Sequence, residues 1–586
     1  MSFIVSKNKS LSSISLLSLC LFAMQLSFSQ KKDDNIGTEV VNVVKPYTPT
    51  ISDAFKVKET PTLDDEETTK KENIQYTIFS FPVASTFAPA KGKAANVDKS
   101  AAEKIIKNYA SLGAGNYGTV KAELFITEDI SNTDYFGGML RHTSSQGGIK
   151  DLALEDNYYN TALDLSYGSR KRSLSWNADI GFKNQVYNWY GIDPILVDDP
   201  TIIANIDEKQ VYNTLYLGGR LNIGDSFFKE SSVKFNRFWD AFGSAEHRFI
   251  AKPAFEFNFL DNDIKTNFIV DYLSGSFKQN IDKTASLKYG FTNVGFQPSV
   301  NIQRDDLDLN LGLSFFYSAA QEPGKSKFFI YPQATGSYKL VGDLMILYAG
   351  FEGKLQQNSY ADFVQSNFFL SPTLIVTPTD QKYDIYAGLK GKLATTVSYN
   401  VRGSYINENQ KALFKSNKFY QSNTNTDGYT FGNSFEVVYD NVKTASLFGE
   451  LKADFTKNIS FGINGTFSSF SVSDEKEAWN LPALQLASTL DVNITSKWYA
   501  GTSLFFVGER KDSITQATIT LPFPDDKLIT LKSYFDLNAH LGYKHNERLT
   551  FFLKGNNLAN QEYQRWANFK VQGLQILGGA SYKFDF

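Results

Sequence analysis

The sequence predicts an all-β protein: an antiparallel transmembrane β-barrel of about 18–22 strands with a short N-terminal periplasmic or luminal segment. Three observations support this fold class. The chain ends inside a strand-like pattern, apolar and polar residues alternate from about Tyr117 onward, and aromatic residues make up 15% of a sequence with 40 glycines. Because side chains of a strand alternate between two faces, the pattern gives each strand one apolar and one polar face.

The last stretch, Leu574–Phe586, shows the alternation most clearly. Every second residue is apolar or glycine, and the residues between them are mostly polar. A strand of about 13 residues is longer than most globular strands and long enough to cross a bilayer. An apolar strand with an aromatic end is similar to the terminal signal of outer-membrane barrels. We therefore expect the barrel-assembly machinery to read Tyr582, Phe584 and Phe586.

Similar segments recur along the chain, and they differ from the strands of a soluble β-sandwich. They are long, and their polar face carries charges of both signs. A single sheet of so many strands can hide its backbone edges only by closing on itself. A solenoid or propeller would show a repeated unit, and no repeat beyond the period of two is visible. The clearest segments are 120–126, 174–182, 215–223, 383–393, 397–405, 447–455 and 535–543.

Short and long connections tend to alternate, as expected for tight periplasmic turns and longer outer loops. Tight turns are predicted at 456–458, 494–497 and 546–547. Long connections are predicted at 188–210, 224–241, 471–480, 509–527 and 558–573. One long polar stretch, 410–427, falls on the periplasmic side of this count. Either a strand is missing from the count or this loop is periplasmic.

The chain divides into three predicted parts. Residues 1–29 read as a signal peptide, with basic residues, an apolar run and small residues at the cleavage site. Residues 30–113 form the N-terminal periplasmic or luminal segment, in which a capping box at Ser100 predicts a short helix reaching Leu112. Residues 114–586 form the outer-membrane barrel.

Composition excludes several classes of protein. The net charge is −3 and no basic stripe exists, so no nucleic-acid partner is expected. The only cysteine, Cys20, lies in the predicted signal peptide, which excludes disulfides from the mature chain. After the signal peptide, no apolar run reaches the length of about 18 residues that a transmembrane helix needs. No cofactor is expected.

The C-terminal region resembles the last strands of TonB-dependent receptors, in the style of their Bacteroidota members. The matching elements are a strand around Asn538, Leu-Lys-Gly-Asn-Asn-Leu at 553–558, Tyr563, and Gly-Gly-x-Ser-Tyr-x-Phe at 578–584. The resemblance covers about the last 50 residues well and the rest of the barrel loosely. It implies a receptor-type barrel and says little about the substrate.

The N-terminal segment departs from this family. It is shorter than the family's plug domain and lacks the Arg-Gly element that usually precedes the barrel. It does contain a run that loosely resembles a TonB box, which would pair with a strand of TonB by β-augmentation. That run is Glu39, Val40, Val41, Asn42 and Val43.

Polar residues of the barrel segments are predicted to line the lumen. A channel selective for one ion sign would favour one charge, whereas the predicted wall carries both. The mixture indicates ion pairs across a partly filled interior, or simply a wetted barrel wall. The candidate lumen residues are Arg220, Lys390, Arg402, Glu450, Lys452, Asp536 and His540.

Enzymatic chemistry has little support, so we expect a non-enzyme. His540 is predicted to be a hydrogen-bonded lumen residue beside Asp536, and no histidine has a convincing Ser/Asp constellation. No Gly-rich phosphate loop or Cys/His metal spacing is present. Acidic residues at 198–199 and 424–428 could bind Ca²⁺ weakly, but ordinary polar loop chemistry is the better explanation.

Two functions remain open at this level. The first is passive or receptor-type transport across the outer membrane of a Gram-negative bacterium. The second is a non-transporting structural or accessory subunit of an outer-membrane complex for protein assembly or secretion. Expected partners are outer-membrane lipid, the barrel-assembly machinery, and periplasmic or outer-membrane proteins that would include TonB if the weak box is real.

Overall fold

The computed structural model describes residues 106–193, 197, 199–224, 226–259, 262–321, 324–419, 426–516 and 525–586. Within them, 22 strands form one sheet in which every neighbouring pair is antiparallel. Each strand pairs with its neighbours in the chain, and the first strand also pairs with the last. The all-β antiparallel barrel is therefore confirmed, at the upper end of the predicted strand number.

The barrel strands are β1 (Asn108–Gly115), β2 (Val120–Asp129), β3 (Asp134–Ser145), β4 (Tyr158–Arg170), β5 (Leu174–Asn188), β6 (Lys209–Ile223), β7 (Phe228–Asp240), β8 (Ala245–Phe259), β9 (Asn262–Phe277), β10 (Leu287–Arg304), β11 (Leu307–Ala320), β12 (Lys327–Val341), β13 (Met345–Gln356), β14 (Thr379–Ala394), β15 (Val397–Ser416), β16 (Phe435–Thr456), β17 (Ile459–Ser471), β18 (Leu484–Asn493), β19 (Trp498–Val507), β22 (Tyr534–Lys544), β23 (Leu549–Asn556) and β26 (Gln575–Phe584).

Four further strands form two small hairpins outside the barrel sheet. They are β20 (Arg510–Gln516) with β21 (Asp525–Leu531), and β24 (Gln564–Trp566) with β25 (Phe569–Lys570). The described α-helices are α1 (Pro200–Ile203) and α2 (Tyr360–Ser366), and Gly428–Thr430 forms a short 3-10 helix. Among the described residues, no helix is long and apolar enough to cross a bilayer.

The first strand corrects the helix prediction. Asn108–Gly115 is β1, so the barrel begins at Asn108 instead of at residue 114, and the predicted helix is wrong for 108–112. Leu112 is 62% exposed on the lipid side, whereas Tyr109 stacks on Phe125 with ring centroids 5.7 Å apart. A helix here would leave the edges of β2 and β26 unpaired inside the bilayer, so sheet closure overrides the local helix signal.

The connections sort onto two rims. Connections at the rim where β1 begins and β26 ends have two to four residues, and those at the opposite rim have four to 26. Short turns identify the periplasmic rim and long loops the outer rim. Of the two alternatives left open for 410–427, the periplasmic loop is wrong, because β15 continues to Ser416 and both β15 and β16 meet the connection 417–434 at the outer rim. The stretch 224–241, predicted as a connection, contains β7.

The two faces of the barrel follow the alternation in the sequence. Outward residues such as Ile180 and Leu217 leave 45% and 48% of their surface exposed, as a lipid-facing belt requires. The intervening residues point inward, where Tyr216 donates a hydrogen bond of 2.6 Å to Asp164. The barrel wall is thus apolar outside and polar inside.

Buried apolar side chains concentrate at the outer rim instead of in the lumen wall. They come from the outer ends of strands and from the long connections between them. The main cluster consists of Trp189, Tyr212, Phe238, Leu273, Phe277, Tyr289, Tyr360, Phe363, Val364, Leu370, Leu374, Val376, Tyr429, Phe435, Val437, Leu531, Ala567 and Phe569. The outer loops therefore share a core of their own.

Candidate functional site: a loop cap over the barrel lumen

Three long connections on the outer rim meet each other, and together we call them the cap. They are residues 189–208 between β5 and β6, 357–378 between β13 and β14, and 557–574 between β23 and β26. In the closed strand order these connections are rooted about a third of the circumference apart. Loops rooted so far apart can touch only by reaching over the barrel opening.

An aromatic trio marks the point where the three connections touch. Tyr190, Phe369 and Phe569 come from one connection each. The Phe369 and Phe569 ring centroids are 3.7 Å apart, and those of Tyr190 lie 5.6 Å from Phe369 and 5.0 Å from Phe569. The Tyr190 hydroxyl also donates to the Lys570 carbonyl at 2.8 Å. The trio is therefore the central contact of the cap.

The connection 357–378 is bound, through the N-terminus of α2, to the barrel wall at β8, about a quarter of the circumference away. The Glu246 carboxylate on β8 accepts hydrogen bonds from the backbone N–H groups of Tyr360 at 2.6 Å and Ala361 at 3.2 Å. It also accepts from the Tyr289 hydroxyl at 2.7 Å. A carboxylate is favoured here because the first N–H groups of a helix lack partners within the helix.

Arg248, two residues further along β8, makes a second attachment. Its Nε and Nη2 donate to both carboxylate oxygens of Asp271 on β9, at 2.9 and 2.7 Å. Its Nη1 donates to Asp362 of α2 at 2.8 Å. Such a two-pronged pair fixes the guanidinium plane, so the third donor can hold the helix at one place.

The β20–β21 hairpin stabilises the cap from the side. Asp512 is fully buried and accepts hydrogen bonds from the backbone N–H groups of Ser416 at 3.1 Å and Ser513 at 2.8 Å. Burial raises the pKa of this carboxyl, against the opposing effect of those donors. Arg510 donates to the backbone carbonyls of Gln564 and Arg565, and burial lowers the pKa of its guanidinium.

Four of the predicted lumen residues lie together on β14, β15 and β16. Arg402 donates to Asp384 at 2.7 Å, and its guanidinium lies 3.8 Å above the Tyr386 ring. Lys390 Nζ lies 5.4 Å from the Tyr348 ring centroid. The adjacent strand β16 holds the ion pair between Lys452 and Glu450, at 2.8 Å.

The other predicted lumen residues lie apart from that group. Arg220 on β6 is exposed on the face that also carries Tyr216. Asp536 accepts a hydrogen bond from the Tyr563 hydroxyl at 3.2 Å, which links β22 to the cap. His540 lies opposite Gly501 on β19, where its ring takes the space of the missing side chain.

The predicted ion pairs exist, but they do not cross the lumen. Arg402 pairs with the neighbouring strand, Lys452 pairs along its own strand, and Arg141 on β3 pairs with Asp164 on β4 at 2.7 Å. These partners are close because they lie on adjacent strands or on the same strand, and not because the lumen is narrow. These ion pairs therefore lie along the wall, where a solute in the lumen would meet them.

The structure describes the residues of the predicted assembly signal, whereas the TonB-box-like run lies outside the described residues. Tyr582 pairs with Ala110 and Phe584 with Asn108 in the closing seam, and Phe586 beyond it is 84% exposed. Their role as an assembly signal stays a prediction. Glu39–Val43 lie outside the described residues, so the TonB-box hypothesis also stays a prediction.

Among the described residues, the loop acids give no support for a metal site, and residues 198 and 424–425 of the candidate stretches lie outside the described residues. Asp199 caps α1 by accepting a hydrogen bond from the Thr201 N–H at 2.8 Å. Asp427 accepts from the Tyr429 hydroxyl at 3.1 Å and pairs with Lys283 at 2.7 Å. In the part of the chain that the structure describes, no three His, Cys, Asp or Glu residues are grouped so that they could hold a metal ion.

Sequence reasoning missed the cap. Its members are aromatic residues in long connections, where the alternation that identifies strands does not apply. Adjacent aromatic pairs were the available signal: Trp189-Tyr190 lies in a predicted long connection, and Phe368-Phe369 lies in a stretch for which neither a strand nor a loop was predicted. Large apolar side chains in a polar loop indicate burial against something, although the sequence does not identify the contact.

No family model and no curated protein matches this sequence. Solved structures do match. The ferric-catecholate import receptor Fiu of E. coli K12 is 11% identical, with a TM-score of 0.58 and coverage of 82% of each chain. The siderophore receptor PirA of Acinetobacter baumannii has a TM-score of 0.59 at 13% identity, covering 81% of this chain and 80% of its own. The copper transporter OprC has a TM-score of 0.57 at the same identity and coverage.

The fold is that of TonB-dependent outer-membrane receptors. The receptor-like barrel inferred from the C-terminal motifs is confirmed at the level of the fold. A closed barrel of this kind, with an apolar outer belt and long loops on one rim, is an outer-membrane protein of a Gram-negative cell. In this barrel the cap occupies the outer rim, and the polar lumen wall lies beneath it.

Proposed function

We propose that this protein is a receptor-type transport barrel in which the cap is the gate of the lumen. One observation carries the proposal: loops from three sides of a 22-stranded barrel meet over its outer opening at the Tyr190, Phe369 and Phe569 rings. Barrels of this size enclose a lumen wide enough to need a closure. Passage of a solute would require the trio to separate.

The wall beneath the cap supports passage rather than a purely structural role. Among the described residues, the inward face carries polar groups and ion pairs along the wall, which a hydrophilic solute can contact. Three solved structures with this fold are an import receptor, a siderophore receptor and a copper transporter. The substrates named for those three proteins are not assigned to this chain.

Energy for opening would come from the periplasmic side. The run Glu39–Val43 is the candidate segment for pairing with a TonB strand, because an extended apolar stretch can add to an exposed sheet edge. In this proposal the cap contacts the solute from the extracellular side. The N-terminal segment connects the barrel to a periplasmic partner.

Opening the trio should change conductance. We expect the double variant Phe369→Ala, Phe569→Ala to raise the open fraction in planar bilayers at least about tenfold, since truncating a buried Phe such as Phe569 costs roughly 3–5 kcal/mol and the partly buried Phe369 adds to that loss. The matched control is Ile375→Ala in the same connection, where the side chain is exposed and outside the trio.

The two open functions give different outcomes in this measurement. Conductance that rises in the double variant and not in Ile375→Ala supports gated passage. A folded, heat-modifiable double variant with no conductance would overturn the gate. It would favour a closed barrel acting as an accessory subunit, which co-purification of stoichiometric partners would then test.

A further inference from the structure

Tyr360, the first residue of α2, is inserted between side chains of the barrel wall and is completely buried. Its ring packs against those of Tyr212 on β6, Phe238 on β7 and Phe277 on β9, with centroids 6.3, 5.1 and 4.9 Å away. Its hydroxyl donates a hydrogen bond of 2.9 Å to Asp240 at the end of β7. We call these four wall residues the socket. None of their strands adjoins β13 or β14, between which α2 lies.

The wall keeps hydrogen-bond partners of its own when Tyr360 is absent from the socket. Asp240 also accepts from two backbone N–H groups of the β7–β8 connection, at 2.9 and 2.8 Å. Glu246, which accepts from the Tyr360 N–H, likewise keeps the Tyr289 hydroxyl at 2.7 Å. Neither buried carboxylate is left without donors, so an empty socket avoids the largest cost of breaking such contacts. An occupied and an empty socket are thus two discrete arrangements, as a moving element requires.

The socket is joined to the rest of the cap through Tyr212. The Tyr212 ring contacts Tyr360, and the Tyr212 hydroxyl donates to the Phe368 carbonyl at 2.9 Å. Phe368 stacks on Tyr187 of β5, with ring centroids 4.0 Å apart. The next residue, Phe369, belongs to the aromatic trio. The segment that carries Phe369 is therefore held in place from the side of the socket.

The connection 357–378 is joined to the other two cap connections by ring contacts. Those two connections share a hydrogen bond from the Tyr190 hydroxyl to the Lys570 carbonyl. Among the described residues, no hydrogen bond joins 357–378 to either of them, and Phe369 meets them ring to ring. Separating 357–378 from the other two therefore breaks no hydrogen bond between them, so this connection can leave while the others stay joined.

We propose that α2 is the latch of the cap, and that the cap opens from one side by withdrawal of Tyr360 from the socket. The other end of the same connection is anchored on β16, where the Phe435 N–H donates to the Phe369 carbonyl at 3.0 Å. A fixed end and a removable end are the geometry of a hinged closure. The proposal rests on the proposed transport function and names the element that controls its gate.

The first test measures withdrawal of α2 without relying on conductance. The only cysteine, Cys20, lies in the predicted signal peptide, so one introduced thiol can be labelled selectively. Val364→Cys places a thiol on the buried side of α2, and the matched control Val437→Cys places one on β16 in the same apolar cluster. Labelling by a polar maleimide is followed on the purified full-length protein in detergent, with Tyr360 intact, with Tyr360→Phe and with Tyr360→Ala.

We expect Tyr360→Ala to accelerate labelling of Val364→Cys at least about tenfold, because local opening becomes easier once the buried ring is removed. Tyr360→Phe keeps the ring and loses only the bond to Asp240, so it should accelerate labelling about three- to tenfold. Val437→Cys should change by less than about twofold in either background. Equal acceleration at both cysteines, or none at Val364→Cys, overturns the latch.

The second test locks the latch. Arg248→Cys and Asp362→Cys are introduced together, since these side chains meet at 2.8 Å, and are bridged by a bis-maleimide that a reductant cleaves. In the background Phe369→Ala, Phe569→Ala, the bridge should suppress conductance and the reductant should restore it. Asp362→Cys alone, treated with the same reagent, should continue to conduct.

The two tests separate the latch from the gate. Conductance that persists through the bridge overturns the latch and leaves the proposed gate intact. If the background variant does not conduct at all, the gate fails, and the labelling rates decide whether α2 leaves the socket.

Discussion

At the residue scale, the cap and the β20–β21 hairpin beside it depend on buried or half-buried polar groups that join distant parts of the chain. Glu246, Arg248 and Asp512 each satisfy backbone or side-chain partners on a different element. A buried carboxylate without such donors would be strongly destabilising. None of the three was identifiable from sequence, since each is an ordinary charged residue in a strand-like pattern and its partner lies about 100 positions away.

Asp512 makes the hairpin contact dependent on pH. Its folded-state pKa is raised by burial, so the folded form binds the proton more tightly than the unfolded chain does. Stability from this group is therefore greatest below the unfolded value of about 3.9 and falls as pH rises through the folded pKa. Hydrogen exchange of the Ser416 amide, corrected for its intrinsic rate, should show protection decreasing across this window.

Two variants check the assignment of that pH dependence. Asp512→Asn should abolish it, because the amide does not titrate. Asp474→Asn, an exposed acid in the neighbouring outer loop, should leave it unchanged. An identical pH profile in wild type and Asp512→Asn would contradict the role of Asp512.

At the element scale, inward rings pack over glycines of the adjacent strand. In each case the ring and the glycine are direct partners in the register, and an added Cβ would overlap the ring. Covering a strand glycine with a cross-strand aromatic ring is a known way to stabilise a sheet. The pairs are Tyr216 with Gly181, Tyr289 with Gly275, Phe316 with Gly295, Tyr386 with Gly350, Tyr348 with Gly388, and Tyr499 with Gly542.

The Gly350–Tyr386 pair gives a test at this scale. Gly350→Ala should displace the Tyr386 ring and disturb its contact with Arg402, at a cost of about 1–3 kcal/mol in the free energy of unfolding. Gly403→Ala, where an added Cβ meets nothing within 4 Å, should change it by less than about 0.5 kcal/mol. Urea unfolding of the two variants measures the difference, and equal losses would mean that ring packing is not the cause.

At the scale of the whole molecule, closure joins the two ends of the barrel. Asn108 pairs with Phe584 and Gly115 with Leu577, so strands more than 460 residues apart form one seam. Without that seam two strand edges would face lipid with unpaired backbone groups. The seam also fixes the positions around the rim from which the three cap connections start.

The end of β26 should control how much barrel reaches the membrane. If Tyr582, Phe584 and Phe586 form the assembly signal, Phe584→Ala with Phe586→Ala should lower the amount of folded, heat-modifiable protein in the outer membrane several-fold. The control is Phe328→Ala, another exposed aromatic that lies on β12 away from the seam. A normal amount of the folded terminal variant in the outer membrane would exclude the assembly signal. An equal loss in the control would mean that lost lipid contact alone explains the effect.

The sequence by itself determined the barrel and the two faces of its strands. Alternation is a local property, so a lumen-facing position could be predicted for Lys390, Arg402 and Asp536 one residue at a time. The tertiary structure decided the strand nature of Asn108–Gly115, the outer position of 417–434, and the ion pairing along the wall. It also decided the meeting of Tyr190, Phe369 and Phe569 over the lumen. These contacts depend on sheet register and closure, which join residues too far apart in the chain for any local pattern to record.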